Sequence, residues 1–241
     1  MNPIQKLLLY VLALTILGCG AYKAKKQEAL LNLPLMGTLV KTTGDMSYNA
    51  AEQIGIPKWT SLKVEVKELP FNIESYTTYA RHMHRAAKIN SIPYNDSLRY
   101  KPKYIRLQVQ NKIDIAHMLN DDAHGEMRDY LSLDPDHRLV TSVDLALTEL
   151  EIQEFLAING AALKKDKLNN IVLVLYMDDV ERTYQLKDLP IFDYGLSAFC
   201  WGEDQYHRLR IENIVDEDLK CPRNTYLKAS KIKSDKAYLK F

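Results

Sequence analysis

Residues 140–176 carry the pattern that most limits how this chain can fold. Val140 to Leu147 is apolar and rich in β-branched residues, which is the signature of a strand. Thr148 and Glu151 follow as a T-x-x-E capping box, in which each side chain can satisfy the other's free amide. They open a helix over 149–158, and Asn159-Gly160 gives it a stop signal. Asn169-Asn170 then leads into Ile171-Val-Leu-Val-Leu-Tyr, too apolar to be anything but a buried strand. A strand, a capped helix and a second strand, all in about 40 residues, require a layer of helix against a sheet.

The flanking sequence extends this reading. Leu62-Lys-Val-Glu-Val-Lys and Ile105-Arg-Leu-Gln-Val alternate strictly, so each predicts a half-buried strand. Ile73, Tyr76, Ala80, Met83 and Ala87 recur at helical spacing and predict a helix over 73–88. Pro93 and Asn95 mark a loop, and a short helix is expected over 112–119. Residues 121–137 read as a loop, with one turn around Glu126 to Leu131. Strands are expected at 182–186, 195–201, 208–211, 225–232 and 237–241. The fold class is therefore α+β: a mixed, largely antiparallel sheet, a few packed helices and a β-rich C-terminal part. Residues 36–241 are expected to form a single domain, a length that can bury a sizeable core.

The first residues read MNPIQKLLLYVLALTILGCG, with Lys6 ahead of an apolar run from Leu7 to Gly18. A membrane-spanning helix needs about 20 apolar residues, so the run is too short to span and has the layout of a secretory signal. Its end, Ile16-Leu17-Gly18-Cys19, resembles the lipobox of bacterial lipoproteins. The resemblance covers residues 1–19 and implies a signal peptide over 1–18, removal of that peptide, and acylation of Cys19. Two or three acyl chains would hold the protein on a membrane. Residues 19–35 would then be a basic tether, with Lys23, Lys25 and Lys26 and a short helix over 24–33. Gly20 is not the inner-membrane retention aspartate of enteric lipoproteins, and the basic stretch differs from the acidic surface-export signal of the Bacteroidota. Together these imply the periplasmic face of an outer membrane. Asp96-Ser97-Leu98 resembles the O-glycosylation sequon of the Bacteroidota, which would make Ser97 a modification site.

Charge bears on partners. The chain has 32 basic and 31 acidic residues, and a nucleic-acid binder would show a basic excess on one face. No nucleic-acid partner is expected. Of the three cysteines, removing Cys19 leaves Cys200 and Cys221. An even pair in an exported protein predicts a disulfide; two buried thiols are the alternative, and a zinc site needs more ligands. Fifteen tyrosines suit either an interface or plain β-sheet.

The sequence LYMDD, residues 175–179, ends an apolar strand. Tyr-Met-Asp-Asp resembles the catalytic turn of reverse transcriptases, where paired carboxylates hold metal. Asp144 is the candidate third carboxylate beside Asp178 and Asp179, as two-metal chemistry demands. The other polymerase motifs are missing, and Asp-Asp between two strands is an ordinary turn. His82 and His84 stand two apart on a helix and so point to different faces. Asp121, Asp122, His124, Asp134, Asp136 and His137 are ligand types gathered in one segment, without the pattern of an EF-hand. No nucleophile elbow, phosphate loop or dinucleotide fingerprint occurs. No cofactor and no resident metal are expected. The expected function is a non-enzymatic accessory or scaffold subunit of an outer-membrane protein complex, docking through a tyrosine-rich sheet surface. The alternatives are an envelope enzyme or ligand-binding protein using residues 121–137, and a surface glycan-binding or adhesion lipoprotein.

Overall fold

The computed structural model describes residues 33–43, 50–97, 99–178 and 180–235. Cys19, residues 20–32 of the tether with all but the last residue of the helix expected over 24–33, Asp179 and the strand expected over 237–241 lie outside the described residues.

The chain is mostly sheet with some helices, an α+β arrangement. Ten strands form one sheet, and every pairing described is antiparallel. Its main path runs β10 (Leu209–Asp216), β9 (Ile191–Glu203), β5 (His137–Leu145), β4 (Lys103–Val109), β3 (Ser61–Pro70), β6 (Gly160–Lys165), β7 (Ile171–Met177), β8 (Val180–Gln185). β1 (Leu39–Thr43) lies beside the start of β5, with Leu39 opposite Leu139, and β2 (Ala50–Gly55) lies beside β1. The later part of the same edge of β5 is taken by β4, from Gln108 opposite Ser142 to Ile105 opposite Leu145.

Alternation divides the sheet into two unlike faces. Leu62, Val64, Ile105, Leu107, Val143, Leu163 and Leu173 point to one side and form the main core. That side is covered by α2 (Lys112–Asn120), α3 (Gly125–Ser132) and α4 (Glu149–Leu156), through Ile115, Leu119, Leu131, Ile152 and Phe155. On the opposite side stand Lys63, Glu65 and Lys67 of β3, Arg106 and Gln108 of β4, and Ser142 and Asp144 of β5. α1 (Ile73–Arg85) covers one end of this second face. Asn72 caps it, bonding the amide of Ser75 at 2.8 Å while the Ser75 hydroxyl accepts from the Asn72 amide at 3.0 Å. Beneath it, Phe71, Tyr79, Tyr104 and Phe192 form a small aromatic core, with ring centroids 4.9–5.7 Å apart.

Three expectations are corrected. The segment 121–137 is a 3-10 turn at Asp122–His124, then α3, and it enters β5 at His137, because Leu131 and His124 have a core to fill. Gly160 does not merely stop a helix. α4 ends at Leu156, and Gly160 begins β6, a strand whose only core-facing side chains are Ala161 and Leu163. Residues 225–232 are not a strand: Tyr226 makes one bridge to Trp201, and Ser230 starts α5 (Ser230–Asp235), which buries Ile232. The Thr148–Glu151 capping box is present, with the Thr148 amide 2.8 Å from Glu151 Oε2.

Candidate functional site

The residues singled out from sequence do not converge. Asp121 and Asp122 are exposed, whereas His124 and His137 are buried and turned to backbone partners. His124 Nε2 accepts the Lys58 amide at 2.9 Å; His137 Nδ1 meets the Leu131 carbonyl at 3.2 Å, and its ring stacks on Tyr130. Asp134 pairs with Lys41 at 2.7 Å and caps the Asp136 amide, and the lysine holds its carboxyl below the usual range. No group of three metal-ligating side chains occurs among the described residues. Asp178 sits in the β7–β8 turn at φ 45°, bonded by the Asn159 amide at 2.8 Å. Asp144 lies on β5, four strands away, or about 19 Å at ordinary strand spacing. It cannot share a metal with Asp178. Ser97 is exposed on its loop, beside an Asp96 paired with Lys101 at 2.9 Å.

Among the described tyrosines, Tyr100, Tyr130 and Tyr206 are exposed. Tyr79 and Tyr104 are buried, Tyr76 stacks on Tyr94 at 4.5 Å, and Tyr184 packs on Phe155.

Cys200 and Cys221 are joined in a disulfide. It ties the middle of the long strand β9 to the segment beyond β10, where Trp201 and Tyr226 exchange two backbone hydrogen bonds at 2.8 and 2.9 Å. A serine close to a lysine and an aspartate also occurs: Ser197 bonds Thr141 at 2.7 Å and Asp216 at 3.1 Å, and Lys112 pairs with that carboxylate. Thr141 and Ser197 are fully buried, so this relay pins α2 to β10 and offers nothing to a substrate.

Two features of the second sheet face carry unusual chemistry. The first is a row of charge across three strands. The register places Arg106 opposite Asp144, and Asp144 opposite Asp193. Arg106 grips Asp144 with two parallel bonds of 2.7 Å, from Nε and Nη2. Asp193 is left with the amide of its neighbour Tyr194, at 2.9 Å. Burial first, and then the Asp144 carboxylate, raise its pKa to about 6, against the opposing pull of that amide and of Arg106. Tyr104, next along β4, is also pushed up, chiefly by burial.

The second is a cleft of about 540 Å³, within the range of about 300–1,000 Å³ typical of ligand sites. α1 supplies one wall through Tyr79, His82 and Met83; Lys187 and Leu189 to Phe192, ahead of and within β9, supply another; Leu33 to Leu35 and Ala51 close it. Its floor is apolar, since Tyr79, Ile191 and Phe192 are buried. Lys88 and Lys187 are exposed at its mouth. Burial, with Lys88 and Arg85 nearby, lowers the pKa of His82 and keeps its ring neutral at pH 7.

The chain matches no family model, no curated protein and no solved structure. Chemistry at these two places therefore bears on function without help from relatives. Among the described residues, no helix is long and apolar enough to cross a membrane.

Sequence reasoning missed Asp193 and the cleft. Asp193 lies in Ile-Phe-Asp-Tyr-Gly-Leu, and its neighbours come from strands about 50 and 85 residues earlier, as only the register shows. One signal was present. Asp144 interrupts the apolar run Val140–Leu147, and a carboxylate in such a run demands a cation from another strand.

Proposed function

We propose that this chain is a lipid-anchored envelope lipoprotein acting as an accessory subunit of an outer-membrane protein complex on the periplasmic side. The observation that carries this reading is the sequence Ile16-Leu17-Gly18-Cys19 closing a short apolar run behind Lys6. Residues 20–32 then link the lipid to the domain, a reach of at most about 50 Å. Such a tether holds the domain near the bilayer and raises its effective concentration toward membrane partners. The charged second face of the sheet supports docking better than the tyrosines do. Lys63, Glu65, Lys67 and Gln108 stand there in a row that no described helix covers away from α1, and polar faces of this kind suit reversible contacts.

The test is recovery of C-terminally tagged full chain from native membranes in mild detergent, with mass spectrometry of co-purifying proteins and of Cys19. A stoichiometric membrane complex and an acylated Cys19 are expected. Charge reversal at Lys63 and Lys67 together should release the partner while leaving acylation intact. A protein that is acylated but emerges alone at every detergent strength overturns the accessory role; an unmodified Cys19 overturns the anchor.

A further inference from the structure

We propose that the cleft between α1 and residues 187–192 binds an anionic amphiphile, with its alkyl chain on the apolar floor and its acidic head between Lys88 and Lys187. Three observations lead there. The polar and apolar parts of the cleft are segregated: Tyr79, Ile191 and Phe192 are buried at the bottom, and the lysines are exposed at the mouth. The lining contains no aspartate or glutamate at all. Neither lysine ammonium has an ion pair or hydrogen bond among the described residues, whereas Lys41, Lys67, Lys101, Lys103 and Lys112 are each held by a carboxylate.

Two unpaired cations at the rim of an apolar hollow are complementary to one kind of ligand, a single anionic group on an apolar body. A dianionic polar metabolite would waste the floor, and a neutral hydrocarbon would waste the lysines. The flexible side chains of Met83, Leu35 and Leu189 adapt to an alkyl chain more readily than rigid rings would. Neutral His82 adds a hydrogen-bonding group to the wall without adding charge.

The ligand's source is the bilayer. Leu33 to Leu35, where the described chain begins, form part of the cleft, so the cleft lies beside the start of the described domain. This choice of source rests on the anchored reading; the charge and shape of the site do not.

Palmitic acid bearing a chain-terminal diazirine is the probe. It is added to isolated membranes containing the full chain, irradiated, and the adducts are mapped to peptides. Labelling should saturate and concentrate on peptides containing Met83 or Phe192. Unlabelled palmitate should compete, and hexadecanol of equal chain length should not. Lys88→Glu combined with Lys187→Glu should cut labelling about tenfold, as expected for loss of charge-assisted contacts. Both side chains are exposed, so the fold is not at stake. Equal competition by the alcohol, unsaturable labelling spread over the surface, or unchanged labelling of the double variant would each overturn the proposal. Carbonate fractionation of the same sample reports the anchor separately. A chain found off the membrane but labelled at the cleft by added palmitate would refute the anchor and leave the site standing.

Discussion

Asp144 is a buried carboxylate whose charge depends on one side chain from the adjacent strand. Arg106 is partly exposed, so it keeps part of its hydration while Asp144 loses nearly all of its water. Removing the cation leaves a buried charge without compensation, which costs far more than the pair itself contributes. Arg106→Ala is expected to lower stability by about 3 kcal/mol, measured by urea unfolding. Adding Asp144→Asn to that variant should restore much of the loss. Asp193 behaves in the opposite sense. Its folded pKa is raised to about 6, above the ordinary carboxyl value, so the folded state holds the proton more tightly than the unfolded chain. Its stabilising contribution is complete below about pH 4 and is lost as pH rises through about 6. Asp193→Asn should therefore match the wild type near pH 4 and exceed it above pH 6, by on the order of 2 kcal/mol. The comparison of the two unfolding curves cancels the other carboxylates. No excess above pH 6 would show that Asp193 is solvated as an ordinary surface acid.

At the scale of elements, the strands with strict alternation were legible and the small or composite ones were not. β3 and β4 announce themselves because Leu62, Val64, Ile105 and Leu107 alternate with charged or polar residues. β6 hides because two lysines and two alanines surround its one large apolar residue, Leu163, and only its place between β3 and β7 makes it a strand. α3 hides because Gly125 starts it and its core contact is essentially Leu131 alone. The Cys200–Cys221 bond was readable by elimination, but its work was not. It fastens β9 to a stretch that has little secondary structure of its own before α5. Closing a loop of 21 residues contributes about 3 kcal/mol in the chain-entropy model. Cys221→Ser should lose about that much in urea unfolding. Because Cys200 is fully buried, the bond in the folded protein should resist dithiothreitol until the chain is partly unfolded, as thiol alkylation under rising urea would show.

For the whole molecule, the α+β class followed from periodicities of single segments, while both parts of the candidate site followed from topology. Arg106, Asp144 and Asp193 lie on three strands that the fold sets side by side, and the cleft draws on the first described residues, on α1 and on the start of β9. A sequence met alone contains the residues but not their adjacency, which is why an acidic, histidine-bearing segment drew attention that it does not keep. The strand β1 has one further consequence. One edge of it meets β2 at once, but the other meets β5 a hundred residues later, at Leu39 opposite Leu139, and β5 in turn awaits β9. A polypeptide is made from its N-terminus. The β1–β2 hairpin can therefore form early with the other edge of β1 open, and the sheet can close only once the final third has been made. Until then that open edge is a template on which another chain could pair.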